Sequence, residues 1–373
     1  MTDPFSPFTV GTMTVPNRFV MAPMTRCFSP GGVPGDGMAG YYRRRAEGGA
    51  GLIISEGTHV NHPGAANDPD CPDFHGEAAL ARWADILAQV HAAGGRMMPQ
   101  LWHVGLLVKA ELENLYQESG SLHEGHVGPS GLAGGMGQPL VKAKPEMTVA
   151  QIEDVIEAFG EGAETAWRMG FDGIEIHGAH GYLIDQFLWA ETNRRTDAFG
   201  GSLRKRVRFC EEIVRQCRSR TAPDFPIFLR LSQWKGQDYE ARLASDPGEL
   251  ETLLTPLVDA GVDVFDCSQR RFWEPEFQDS ELSLAGWVKR LTGKGVMTVG
   301  SVGLDRELIE SLYGKPSAPQ SLERVIAMLD RGDFDLIGVG RAMLVDPNWV
   351  EKIRIGETSG LLPYSPEALA SLS

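Results

Sequence analysis

The chain has 373 residues, 42% hydrophobic and 23% charged, with 44 glycines and a formal charge of −15 at neutral pH. That length suits one large α/β barrel or two ordinary domains, and the composition excludes a disordered or low-complexity chain. The acidic balance excludes the basic surface that nucleic-acid binding needs, because the only short basic runs, Arg43–Arg45 and Arg204–Arg208, sit in helix-like stretches and read as solvated faces.

The opening segment, MTDPFSPFTVGT, lacks a basic stretch followed by an apolar one, so no secretory signal is expected. Nowhere does an apolar run reach membrane-span length, and no membrane association is expected. Five scattered cysteines, none in a C-x-x-C pair, fit a reducing cytoplasm better than a disulfide framework.

FTVGTMTVPNRF reads as a small hairpin that closes the floor of a barrel. After its start come eight short apolar runs that end in polar residues: RFVMAP (18–23), GLIISEG (51–57), RMMPQLW (96–102), DGIEIHG (172–178), PIFLRLS (226–232), VDVFDCS (262–268), VMTVGS (296–301) and DLIGVGR (335–341). Longer segments of helical period separate them, as parallel strands with crossover helices require. In TVAQIEDVIEAFGEGAETAWRMG, residues Ile152, Val155, Ile156, Phe159, Ala163 and Ala166 trace one face. Thr148 with Gln151 makes a capping box before that helix, and Gly170 ends it.

Eight strand-helix units without a composition break predict an α/β fold, a closed (β/α)8 barrel in one domain spanning 1–373, rather than an open doubly wound sheet. Thr25, Glu56, Gln100, His177, Arg230, Ser301 and Arg341 all fall at or just beyond strand ends, which a barrel gathers at one mouth. The connection over about 103–147 is unusually long, the mark of a functional loop or lid.

No G-x-G-x-x-G follows a strand and no phosphate-loop lysine motif is present. TVGSVG and IGVGR instead place the amides of Gly300, Ser301, Gly340 and Arg341 where barrels commonly hold a phosphate, with the Arg341 cation beside it; ordinary barrel turns also carry such glycines. Gln100 and Arg230 require partners, either internally, for example a strand-end acid such as Glu56, or from a planar heterocycle. In HGAHGYLIDQFL, His177 and His180 could be metal ligands, a proton relay, donors to a substrate oxygen or satisfied polar groups. Zinc would need further ligands, and His59, His62, His75 and His103 show no ligand spacing. No G-x-S-x-G elbow supports a serine triad, and Glu175, opposite Ile174 and Ile176 on its strand, need not face the mouth as a glycosidase acid would. Tyr182 adds a phenol, protonated at neutral pH, so that two donors and one acid suit reduction of a polarised double bond.

Six blocks in order, NRFVMAPMTR (17–26), YYRRRAEGGAGLIISEGTHV (41–60), QLWHVG (100–105), FDGIEIHGAHGYLIDQFLWAETNRRTDAFGGSLRKRVRF (171–209), LRLS (229–232) and GVGRAMLVDPNWV (338–350), resemble the old yellow enzyme family of ene-reductases. The resemblance implies noncovalent FMN at the barrel mouth, reduced by NADPH or NADH, and ping-pong reduction of activated alkenes such as enones, enals, maleimides and nitroalkenes. By the same resemblance Pro23, Met24, Thr25 and Gly57 lie along the flavin ring, Gln100 and Arg230 read its polar edge, and Gly300, Ser301, Gly340 and Arg341 take the phosphate. His177 and His180 would hold the substrate oxygen, Tyr182 would protonate the α-carbon, and Trp102 would contact substrate. Threonine at position 25 sets the chain apart from relatives with cysteine there, and Cys27 does not occupy that position. CSQRRFWEPEF (267–277) departs from the common pattern, and Phe272 and Trp273 are expected to shape substrate access. That segment leaves open an amine demethylase or dehydrogenase, and a flavin-binding protein without turnover is the non-enzymatic alternative. No cysteine follows Cys267, so no iron-sulfur cluster domain is expected, and the chain would be a monomer or homodimer.

Overall fold

All eight apolar runs form strands of one closed parallel barrel in the computed structural model, which describes residues 2–107, 125–134, 139–312 and 314–373. In chain order, β1 (Phe8–Val10) and β2 (Met13–Val15) are an antiparallel hairpin, and β6 (Leu132–Ala133) and β7 (Val141–Lys142) are another. The barrel consists of β3 (Phe19–Met21), β4 (Leu52–His59), β5 (Met97–Trp102), β8 (Ile174–His177), β9 (Ile227–Leu231), β10 (Val264–Ser268), β11 (Gly295–Val299) and β12 (Leu336–Val339). Each pairs with the next, and β12 closes on β3 through Ile337 opposite Phe19.

Strand alternation sorts the side chains into two cores. Val20, Leu52, Ile54, Met98, Phe228, Val264, Met297 and Leu336 point inward and fill the lower barrel as one buried cluster. Met13 and Val15 of the hairpin join that cluster, so the hairpin plugs the floor as expected. Their strand neighbours, such as Phe19, Ile53, Met97, Ile174 and Ile176, belong to the larger core between barrel and helices. On β8 the inward position is not apolar but Glu175, which is fully buried.

The helix Val149–Met169 starts with the predicted capping box, Thr148 Oγ1 accepting from the Gln151 amide and Gln151 Oε1 from the Thr148 amide. It ends at Gly170, whose φ of 87° is left-handed. Ile152, Val155, Phe159, Ala163 and Ala166 are buried, while Ile156 is partly buried at the edge of the stripe.

Of the long connection, β6 and β7 are described, whereas residues 108–124 and 135–138, including ELENLYQESG, lie outside the described residues, and with them the lid expectation. No helix among the described residues is long and apolar enough to cross a membrane. Thr148→Ala should lower stability by about 1 kcal/mol, read as a shifted denaturant midpoint, because it removes the cap acceptor. An unchanged midpoint would show that tertiary packing alone sets this helix start.

Candidate active site

Above the apolar layer the inward positions become polar, and the strand ends surround a cavity of roughly 430 Å³. Pro23, Met24, Thr25, Gly57, Gln100, Trp102, His177, His180, Tyr182, Arg230, Gly300, Ser301, Gly340 and Arg341, all singled out in the sequence, line it. Gly57 follows a register shift in β4, and a Cβ there would sit 2.6 Å from the Trp102 indole, so glycine is what lets that ring lie against the strand.

At the cavity base Gln100 Nε2 donates to Glu175 Oε1 at 2.7 Å. Arg230 Nη1 lies 3.0 Å from Asp266 Oδ2 and 4.0 Å from Glu175 Oε1. Burial, then the charge of Asp266, drives the Glu175 carboxyl well above its ordinary range, and burial also raises Asp266. Glu175 therefore keeps its proton and Asp266 is the anion that balances Arg230. The expected internal partner, Glu56, is instead engaged elsewhere: its Oε2 accepts from the Arg26 amide at 2.8 Å and the Cys27 amide at 3.2 Å. Glu175 is thus the acid that faces the barrel interior, because residues 175 and 177 share the inward parity of β8. Arg230 Nε is buried without a hydrogen-bond partner among the described residues, whereas Nη1 is engaged by the carboxyls. A buried donor costs about 1–3 kcal/mol if left unmade, so Nε fits an acceptor-bearing planar group in the cavity.

His177 ends β8, and the chain then turns sharply through His180 (φ 65°) and Gly181 (φ 84°) before the helix Leu183–Leu188. The φ at 181 strains any side chain, and a Cβ there would also displace Gln237 Oε1, so glycine is favoured at this position. The turn is held from below: the Gly181 amide donates to Asp185 Oδ2 at 2.7 Å, and Asp185 Oδ1 is 2.8 Å from Lys235 Nζ, both side chains fully buried. These bonds bring the His177 ring centroid 5.1 Å from His180 and 5.0 Å from Tyr182. Trp102 meets Tyr182 edge to face at 4.9 Å, and Trp234 stacks on His180 at 4.4 Å. His180 Nε2 is 2.8 Å from Ser268 Oγ.

Burial, reinforced by Arg230, pushes both imidazoles well below their ordinary value, with His177 and Lys235 also acting on His180. Burial, then the neighbouring Cys71 and Cys27, pushes the Tyr182 phenol up. At neutral pH the cluster is therefore two neutral imidazoles and one protonated phenol. No third ligand joins His177 and His180 among the described residues, and the group that could hold a metal is Cys27, Asp68 and Cys71, elsewhere in the wall.

On the opposite wall Ser301 adopts φ 57°, and Gly340 caps the short helix Arg341–Val345. The Arg341 guanidinium does not project into open space; Nη2 donates to Arg306 O at 2.5 Å and Nη1 to Glu307 O at 3.1 Å and to Ser311 Oγ. The Arg341 charge is thus held by oxygens of the wall beside the cavity that the residue lines.

Phe272 and Trp273 require a correction, since neither lines the cavity. Phe272 is buried in the large core, its amide donating to Gly300 O at 3.0 Å, and Trp273 packs against it edge to face under Arg324. They brace the turn after β11 from behind, and the cavity-facing members of that segment are Ser268, Gln269 and Arg270. Sequence reading missed Trp234 and Tyr239, which line the cavity just after β9; an aromatic pair beyond a strand end was the available signal. Leu107, Tyr364 and Leu369 gave none, because the last two reach the cavity from the distant tail.

Glu56 gives the site a pH signature. Burial holds its carboxyl at about 7 against an ordinary 4.5. A folded pKa above the unfolded one contributes stability fully present below the unfolded value and lost as pH rises through about 7. Glu56→Gln keeps an acceptor for the Arg26 and Cys27 amides and cannot ionise. Between pH 5 and 8 the unmutated protein should therefore lose on the order of 2–3 kcal/mol relative to this variant. Parallel melting curves across that range would contradict the assignment.

Comparison with known proteins agrees with the barrel fold. The profile of the NADH:flavin oxidoreductase / NADH oxidase family matches residues 3–311. The chain is 32% identical over 381 aligned positions to 12-oxophytodienoate reductase 7 of Oryza sativa subsp. japonica, covering 96% of this chain and 89% of that protein. It is 31% identical to an NADH oxidase of Thermoanaerobacter brockii over 94% of its own length, but spans half of that protein. Morphinone reductase, solved in complex with tetrahydroNAD, superposes with a TM-score of 0.79 at 28% identity, over 99% of this chain and 94% of that one. The chain belongs to the NADH:flavin oxidoreductase / NADH oxidase family, that of old yellow enzyme, and is an oxidoreductase that works with FMN and a nicotinamide.

Proposed function

We propose that this protein reduces the C=C bond of activated alkenes, α,β-unsaturated carbonyl or nitro compounds, at the cavity where His177, His180 and Tyr182 meet. The observation that carries the reading is the convergence of two neutral imidazoles and one protonated phenol on the same wall, with ring centroids about 5 Å apart. Cationic imidazoles would repel a nicotinamide's positive charge after hydride loss, whereas neutral ones donate hydrogen bonds and remain compatible with it.

FMN fits the cavity's chemistry. The unpartnered Nε of Arg230 and the amide of Gln100 are suited to the polar edge of its ring. Pro23, Met24, Thr25 and Gly57 would lie along the ring, and the amides of Gly300, Ser301, Gly340 and Arg341 would take its phosphate. Bound there, it supplies hydride drawn from NADPH or NADH.

The protein's own residues do the rest. His177 and His180 hold the substrate oxygen and draw electron density toward it, which makes the β-carbon electrophilic. Tyr182 donates its proton to the α-carbon, and Trp102, edge-on to that phenol, fixes the direction of donation. Trp234 holds the His180 ring by stacking and, with Tyr239, bounds the substrate side. Phe272 and Trp273, the residues that prompted the amine-oxidising alternative, do not line the cavity, although Ser268, Gln269 and Arg270 of the same segment do.

Purified protein should be yellow, be bleached anaerobically by NADPH or NADH, and regain its colour with cyclohexenone. Tyr182→Phe should leave bleaching by nicotinamide intact and slow reoxidation by enones by roughly 10²-fold or more, measured by stopped flow. Equal reoxidation rates would remove Tyr182 from proton transfer. Replacing His177 and His180 with Ala should abolish the long-wavelength band formed with phenols, and its retention would refute the oxygen-binding role.

A further inference from the structure

Behind Tyr182, two cysteines distant in sequence come together. Cys27 follows β3, Cys71 lies between β4 and the helix Glu77–Ala92, and their sulfurs are 3.1 Å apart. Cys71 is buried and Cys27 partly exposed, and the pair packs with Trp102, Val104 and Tyr182 in one small apolar cluster. Cys27 is held in a left-handed conformation, φ 55°, which a non-glycine residue adopts only under constraint. The constraint is Glu56, whose Oε2 accepts from the Cys27 amide. Its thiol lies 3.4 Å from Asp68 Oδ2, a carboxylate placed to accept a proton.

Two uses of such a pair can be separated by distance. Two thiolates on a tetrahedral zinc, with bonds of about 2.3 Å, stay roughly 3.7 Å apart. The observed separation is shorter, and a shift of about 1 Å brings the sulfurs to disulfide length. Cys210, Cys217 and Cys267 are fully buried, which leaves Cys27 as the cysteine that solvent reaches.

We propose that Cys27 and Cys71 form a reversible dithiol–disulfide site built into the wall behind the proton donor, closed by peroxide and reopened by thiols. Cys27 attacks hydrogen peroxide as Asp68 takes its proton, giving a sulfenic acid and, once the proton is passed on, one water. Cys71 then attacks the Cys27 sulfur and displaces the hydroxyl as a second water. In sum two thiols and one peroxide give one disulfide and two waters. The hydrogen bond that the Cys71 thiol makes to Cys27, then burial and the nearby carboxylates, hold it protonated, which fits its role as the second, resolving sulfur.

The closed form bears on catalysis, and that part rests on the function proposed above. Closure moves the segment bearing Thr25 and Cys27 against the cluster that supports Tyr182. A displacement of about 1 Å there should slow enone reduction by on the order of tenfold to a hundredfold.

The test is peroxide treatment of the holoenzyme followed by thiol counting under denaturing conditions and peptide mass spectrometry. Five titratable thiols should fall to three. A Cys27–Cys71 cross-linked peptide 2 mass units lighter than its reduced parts should appear, and dithiothreitol should restore both thiols. Cys71→Ser should give instead a sulfenic acid at Cys27 that dimedone traps. Persistence of five thiols, or a Cys27 linked to any other residue, would overturn the site; so would purified protein whose Cys27 and Cys71 are shielded from alkylation by bound zinc. Enone turnover unchanged in fully cross-linked enzyme would overturn its link to catalysis. Thiol count and peptide mass are read without turnover, so they stand or fall apart from the activity.

Discussion

Everything at the barrel mouth rests on the buried charge layer of Gln100, Glu175, Arg230 and Asp266. One guanidinium faces two carboxyls at full burial, with Arg230 Nη1 3.0 Å from Asp266 and 4.0 Å from Glu175. Two anions and one cation cannot all persist there, because the desolvation of each ion is several kcal/mol. The layer resolves this by keeping Glu175 protonated. Its consequence is directional: with Arg230 Nη1 balanced by Asp266, the unpartnered Nε is left to the cavity. A guanidinium so fixed does not swing, and a group that accumulates negative charge finds a preorganised cation.

A second buried ion pair orients the other half of the site. Lys235 and Asp185 are both fully buried, and Asp185 also accepts from the Gly181 amide. Burial raises the Asp185 carboxyl to about 6, with Lys235 opposing that rise. Breaking such a pair from one side typically costs 3–5 kcal/mol, so the turn through His180 and Gly181 is held against its unfavourable left-handed geometry. The two ion layers meet at His180, whose amide donates to Ser232 Oγ while Ser232 O accepts from Lys235. His177 and Tyr182 are thereby placed on a rigid frame rather than on a loose loop.

The barrel was legible because each strand is short, apolar and ended by a polar residue, and because alternation then fixes which residues face inward. All eight strands fall within the predicted runs or within about two residues of them. The cavity residues at strand ends were legible for the same reason. What escaped was whatever depends on pairing across the barrel. Glu175 was assigned no inward role because the parity of β8 was anchored on its isoleucines, which in fact face the helices. Glu56 was offered to Arg230 on the strength of a shared strand-end position, yet β4 bulges between Ile54 and Gly57, and its carboxylate turns toward the Arg26 and Cys27 amides. Phe272 and Trp273 are aromatic residues in a loop near the mouth, and only packing decides that they face the core.

The bulge in β4 accounts for the placement of Glu56 and explains a feature of the site. By shifting register it sends Glu56 outward to the segment after β3 and brings Gly57 opposite Gln100. Gly57 then leaves room for the Trp102 ring, which lies 4.9 Å from Tyr182, while Glu56 fixes the segment that carries Thr25 into the cavity. One inserted residue therefore sets both the wall behind the phenol and the loop on the opposite side of β4. Strand propensity cannot announce such a bulge, because the run GLIISEG reads equally well without it. The acid that ends that run is accordingly a structural brace with a raised pKa rather than a catalytic group, and its chemistry follows from the backbone irregularity that buried it.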